Sequence, residues 1–193
     1  MLGSEARKKM DNFSSKLGIF FSRFGSPNFY TFLTLLTGFA AAYVIYRGEF
    51  VFGIALILVS GFFDLLDGAV ARAIKGTTKW GAMADSVTDK VTEIAIYFAL
   101  ALYSSTLFLG SMLAITAFML SSYISKHAGA LGAKQGGGLI ERKERIFLIF
   151  VGLAFVYIDV KYAEYVLYII AALSAITALQ RLNRSRKAFK AAK

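Results

Sequence analysis

Four aspartates carry the chemistry that this sequence can do. Asp64 and Asp67 are three residues apart, and Asp85 and Asp89 are four apart. On helices each pair shares one face. Both pairs lie among apolar or small residues between Phe63 and Lys90, and they are four of the chain's twelve acidic residues. A carboxylate at the centre of a membrane helix costs about 2.5–3.5 kcal/mol on insertion scales, so four that converge require positive charge among them. An all-oxygen set suits a hard divalent cation, Mg²⁺, Mn²⁺ or Ca²⁺, rather than a soft one. The alternative is a set of ion pairs with Arg72, Lys75, Lys79 and Lys90 at a helix end. Gly68 and Gly81 flank the pairs and leave room for a ligand or a second backbone. Two ions held by shared carboxylates can clamp a diphosphate and stabilise a departing phosphate. A carboxylate beside them can take the proton of an attacking hydroxyl. Arg72 offers phosphate oxygens a fixed fork of donors, or else is an interfacial cation with its stem along apolar surface.

Elements must bring the two pairs together. The short polar run Lys75-Gly76-Thr77-Thr78-Lys79 between them reads as a turn, so the flanking helices are antiparallel neighbours whose carboxylates face one another. The chain has 193 residues, 57% of them hydrophobic, more than a soluble domain carries. It has no Cys, which removes disulfides and thiolate chemistry. The apolar pattern predicts an all-α integral membrane protein, a single membrane domain over residues 1–193, with six transmembrane helices at about 29–46, 50–74, 80–103, 106–124, 142–158 and 162–182. An N-terminal amphipathic interfacial helix over 4–24 precedes them, with Arg7, Lys8, Lys9, Lys16 and Arg23 toward anionic headgroups. A solvated basic arm is the alternative for that stretch, which lacks the apolar core of a signal peptide. Residues 125–145 read as a polar loop broken by Gly136-Gly137-Gly138, and 183–193 as a basic tail.

Charge gives the orientation. With six spans, 20 of the 22 Lys and Arg fall on one side, and only Arg47 and Lys161 on the other. The expectation is a multi-pass protein of the cell membrane with both termini and the aspartates on the cytoplasmic side. The net charge of +10 does not imply nucleic acid, because the basic residues follow the span ends.

At the aspartates the chain resembles a known family. Asp64-x2-Asp67-Gly68-x2-Ala71-Arg72-x8-Gly81-x3-Asp85-x3-Asp89 matches the signature of the CDP-alcohol phosphotransferases at every fixed position. The resemblance implies an enzyme that binds a CDP-linked alcohol, lets an acceptor hydroxyl attack its β-phosphate, and releases CMP. It implies Mg²⁺ or Mn²⁺ in a two-metal site held by Asp64, Asp67 and Asp85, with Asp89 as general base close to the second ion. Gly68, Arg72 and Thr78 match positions that contact the CDP moiety, with Gly81 beside them. Pro27-Asn28-x2-Thr31 looks like the family's first-helix entry near the cytidine. For Asn28 the competing reading is a helix N-cap, and for Thr78 a turn residue. Family members are generally homodimers, and their donors are lipids whose tails lie among membrane helices.

Gly138-Leu139-Ile140-Glu141-Arg142-Lys143-Glu144-Arg145 bears on the acceptor. Arg142 and Arg145 are three apart and form a candidate anion-binding pair, or else a juxtamembrane basic helix end. The pattern resembles the branch that makes phosphatidylinositol phosphate or its archaeal ether-lipid counterpart, where such arginines bind the phosphate of inositol phosphate. The sequence departs from that branch after Ser122-Tyr123. Ser125 and His127 stand where it carries Lys and Arg, with Lys126 between them as a substitute cation. His127 serves only when protonated, and is otherwise an interfacial residue. The expected acceptor is inositol phosphate. Glycerol phosphate, serine, or a CDP-inositol donor with inositol phosphate are the alternatives within the class. A divalent-cation transporter is the alternative outside it, disfavoured because the carboxylates crowd one membrane face.

Overall fold

The computed structural model describes residues 14–133 and 136–191, which fold into helices with no strand among them. A short helix, α1, covers residues 14–21. Six long helices follow: α2 (Pro27–Tyr46), α3 (Phe50–Ala73), α4 (Lys79–Tyr103), α5 (Ser105–Ala130), α6 (Arg142–Val156) and α7 (Val160–Ala191). Of the amphipathic helix expected over 4–24, residues 4–13 lie outside the described part.

The helix ends follow from local chemistry. Pro27 opens α2, where its missing N–H costs nothing, and Ser26 Oγ accepts the Phe29 N–H at 3.3 Å. Thr78 Oγ1 accepts the Gly81 N–H at 2.9 Å and so caps α4. Ser104 caps α5 through the Thr106 N–H. The Glu144 carboxylate accepts the Glu141 N–H at 3.0 Å where α6 begins, and Asp159 Oδ1 accepts the Lys161 N–H at 2.9 Å where α7 begins. The end of α3 is tighter than the glycine beside it suggests. Lys75, not Gly76, takes the left-handed conformation, at φ 52°. The Gly76 N–H reaches back to the Ala71 carbonyl at 2.9 Å and the Lys75 N–H to that of Arg72 at 3.3 Å, a Schellman closure.

Two helices outrun the spans expected of them. α5 continues to Ala130 instead of stopping near 124, and α7 takes in the basic tail as far as Ala191. Charged residues end a membrane span but not a helix, and Ala, Lys and Arg are good helix formers. Among the described residues four helices, α2, α3, α5 and α7, are long and apolar enough to cross a membrane. α4 carries Asp85, Asp89, Lys90 and Glu93 in its first four turns. α6 has 15 residues, about 22 Å at 1.5 Å per residue, against a hydrocarbon core of about 30 Å.

The described chain divides into two compact units. The first takes α1, α2, and α3 with α4 as far as Ile96; the second takes Tyr46–Phe50 and the chain from Tyr97 onward. In the first, Tyr30, Leu66 and Val70 are buried, with Phe21, Leu33 and Phe63 against them. Ser60 Oγ donates to the Thr34 carbonyl at 2.9 Å and ties α3 to α2. Gly38 on α2 faces the Thr92 side chain so closely that no Cβ fits, so α2 and α4 approach nearly backbone to side chain. In the second, α7 packs along both α5 and α6. Thr177 on α7 accepts the Ile140 N–H at 3.1 Å, which pins the turn ahead of α6.

Candidate active site

The closing turns of α3 carry Asp64 and Asp67, and the opening turns of α4 carry Asp85 and Asp89. The five-residue turn folds the helices back on one another. One carboxylate oxygen from each of Asp64, Asp67 and Asp85 lies within 4.8 Å of the others. Asp89 follows Asp85 by one turn on the same face of α4. Asp67 is buried and the other three are half-buried. Thr31 Oγ1 lies 2.8 Å from Asp67 Oδ2 and 3.2 Å from the Pro27 carbonyl. Its single proton favours the charged acceptor at the shorter distance. Three carboxylates this close repel one another. An all-oxygen set of this size fits a hard divalent cation, so the residues present suit a metal ion.

Beside them opens a cavity of about 270 Å³ in the first unit. Asp67 and Asp85 form part of its wall. Asn28, Thr31, Gly68, Arg72, Thr78 and Gly81, the six residues expected to meet a CDP-alcohol, all line it. The N-terminus of α2, the end of α3 and the α3–α4 turn therefore meet around one space. The competing readings of these residues separate here. Ser26, not Asn28, accepts the capping bond of α2, and the Asn28 amide oxygen points toward Gly81. Thr78 caps α4 and lines the cavity at once. Thr31 reaches Asp67 as well as the cavity. Arg72 extends to Ser14 on α1, with Nη2 donating to Ser14 Oγ at 2.9 Å.

The residues expected to meet an acceptor's phosphate lie in the second unit. Arg145 is buried, its guanidinium carbon 4.8 Å from the centre of the Phe118 ring. Arg142 is half-buried one turn before it, while Lys126 and His127 at the end of α5 are exposed. The His127 ring stacks on Tyr123 at 5.5 Å with 9° between the planes. Arg181 joins this group from α7. Glu141, Arg145 and Arg184 are its electrostatic neighbours, and its Nη1 donates to the Ser121 carbonyl at 3.1 Å. Arg181 was no candidate in the sequence, where it falls at the end of the sixth expected span, 162–182. Nothing in its spacing told it apart from the cations around it. Gly76 and Thr77 in the cavity wall were missed too, since the polar turn read only as a connection, and Ile74 read only as the end of the second span.

The family model for CDP-alcohol phosphatidyltransferase matches residues 24–179. The chain is 33% identical over 146 residues to a phosphatidylinositol phosphate synthase of Corynebacterium glutamicum, a match covering 72% of this chain and 67% of that protein. It is 36% identical over 121 residues to an archaetidylinositol phosphate synthase of Methanothermobacter thermautotrophicus, covering 61% and 62%. The matched stretches thus reach about two thirds of those relatives' own length. A crystal structure of Mycobacterium tuberculosis phosphatidylinositol phosphate synthase with CDP-DAG bound superposes with a TM-score of 0.81 at 25% identity, over 90% of this chain and 94% of that one. A second structure of that protein, in complex with manganese and citrate, matches with the same score over 88% of its length.

Proposed function

The chain belongs to the CDP-alcohol phosphatidyltransferase family, and from that we propose that it transfers the phosphatidyl or archaetidyl group of a CDP-alcohol lipid to an acceptor hydroxyl, inositol phosphate first, releasing CMP. It is a multi-pass membrane protein and a transferase of phospholipid biosynthesis. The observation that carries the reading is the cavity in which two of the clustered aspartates share one wall with all six of the signature and first-helix residues. The relatives named for inositol phosphate products support the acceptor, and the neighbour with CDP-DAG bound supports a lipid donor.

Asp64, Asp67 and Asp85 would hold the divalent cation, Mg²⁺ or Mn²⁺, with Asp89 completing the carboxylates for a second ion. Such ions, when bound, neutralise diphosphate oxygens and ease the departure of CMP. The chain's own residues do the rest. Thr31 holds the Asp67 carboxylate in one orientation. Asn28, Thr78 and the open backbone at Gly81 hold the cytidine and its phosphates, and Arg72, lying over Gly68, donates to phosphate oxygens. The acceptor oxygen attacks the β-phosphorus, the bond from that phosphorus to the CMP oxygen breaks, and Asp89 takes the hydroxyl proton. Arg142, Arg145 and Arg181 hold the acceptor's phosphate, and Lys126 and His127 are exposed cations able to draw it in. Six spans, a single membrane domain with both termini and the aspartates cytoplasmic, and a homodimeric assembly complete the reading.

Asp89→Asn tests the mechanism. The amide keeps the size and one accepting oxygen but cannot take the proton. Transfer falls by at least about a hundredfold, the low end of general-base catalysis, while thermal unfolding stays close to wild type and Mn²⁺ still binds at Asp64, Asp67 and Asp85. Near-normal turnover in this variant removes Asp89 from the base role.

A further inference from the structure

We propose that Ser14, on the surface helix α1, is a positioning residue for Arg72 in the nucleotide cavity. The inference rests on the functional reading above and adds an element that the family signature does not contain.

α1 lies antiparallel along the second half of α3 and touches it at three levels. Ser14 Oγ accepts from Arg72 Nη2 at 2.9 Å. One turn on, Gly18 sits against the Ala69 carbonyl, with the Ala73 methyl beside it, so closely that no Cβ fits at 18. Another turn on, the Phe21 ring meets Phe62 at 6.0 Å edge to face, and the Phe21 carbonyl accepts the Tyr30 hydroxyl at 2.8 Å. The register of α1 on α3 is therefore fixed, and with it the place of the Ser14 hydroxyl.

Arg72 uses that fixed point. Its guanidinium lies back over Gly68, where an added Cβ would stand 3.2 Å from Nη1. The bare backbone at 68 gives the planar group a seat, and Ser14 holds its far edge. An exposed arginine loses rotamer freedom when it is fixed on a ligand, so an anchor on one edge lowers the cost of presenting the other edge to a phosphate. The rest of α1 exposes Lys16, Ile19 and Phe20, and the turn after it exposes Arg23 and Phe24. That composition suits the headgroup boundary, so α1 ties the arginine of the cavity to the membrane surface.

The test measures CMP binding by calorimetry and, separately, donor KM and kcat, for Ser14→Ala, Ser14→Thr, Arg72→Lys and the Ser14→Ala/Arg72→Lys pair. Ser14→Ala raises the CMP dissociation constant and donor KM between about twofold and tenfold, the range of one net hydrogen bond, with kcat near wild type. Ser14→Thr restores both. In the Arg72→Lys background Ser14→Ala adds nothing, because the interaction it removes is already gone. Equal CMP binding in Ser14→Ala overturns the proposal. So does a loss of the same size in both backgrounds, which marks a merely structural role for Ser14. Weaker CMP binding in Ser14→Ala beside a wild type that turns over no acceptor keeps Ser14 in place and removes the proposed reaction instead.

Discussion

Thr31 shows what a single residue adds and what spacing hides. Its hydroxyl meets Asp67 at 2.8 Å across 36 residues of sequence, a pairing that no local pattern announces. In the sequence Thr31 is legible only as a nucleotide contact. Groups that orient metal ligands typically change affinity between about tenfold and a hundredfold when removed. Thr31→Val, which keeps the shape and loses the donor, therefore weakens Mn²⁺ binding at least about tenfold in a paramagnetic titration, and Thr31→Ser retains most of it. Unchanged affinity in Thr31→Val would reduce Thr31 to packing. Asn28 and Thr78 show the converse. The competing reading was a cap for Asn28 and a turn residue for Thr78, and caps are decided by which side chain meets the first free N–H. Ser26, one residue before Pro27, takes the bond at α2. Thr78 takes it at α4 and still faces the cavity.

At the scale of elements, apolar length and turn residues placed the helices, because a long apolar run has few other solutions in a membrane. Their ends were less legible. α5 and α7 run on past the apolar stretch, since hydropathy reports the edge of the bilayer while helix propensity continues beyond it. The left-handed residue closing α3 is Lys75 rather than its glycine neighbour, a choice made by the Schellman bonds to Ala71 and Arg72. Close approaches are likewise invisible until helices are paired. Gly38 has no signal in the sequence beyond being small, yet α4 fits against α2 only because its Cβ is missing. Gly38→Ala forces Thr92 aside and costs about 1–3 kcal/mol, the usual range for overpacking. The readout is a lowered midpoint of thermal unfolding in detergent. Activity falls with it, because α4 carries Asp85 and Asp89. Trimming the clash in Gly38→Ala/Thr92→Ala recovers part of the stability. An unshifted midpoint in Gly38→Ala would mean that the helices can separate at this level without cost.

For the whole molecule, helix length and charge govern how the chain threads the bilayer. Among the described residues four helices are long and apolar enough to span. α4 crosses only with its charged first turns at a membrane face, and α6 only with polar residues or a thinned bilayer completing its length. The charge distribution supports six crossings, because that number gathers 20 of 22 cationic residues on one side. The chain has no cysteine, so single cysteines report topology without background. Lys187→Cys reacts with an impermeant thiol reagent from the cytoplasmic face, and Arg47→Cys and Ser105→Cys from the opposite face. Cytoplasmic labelling of Ser105→Cys would show that α4 does not cross. The account as a whole stands on turnover, and CMP release by the purified protein in lipid vesicles with Mg²⁺ or Mn²⁺ tests it most directly. CDP-diacylglycerol and CDP-archaeol serve as donors, and inositol phosphate, glycerol phosphate, serine and inositol as separate acceptors. The account predicts CMP release that requires the metal and occurs with inositol phosphate. Release with another acceptor alone would move the specificity and keep the chemistry. No CMP from any donor and acceptor pair in the presence of metal would contradict the central claim.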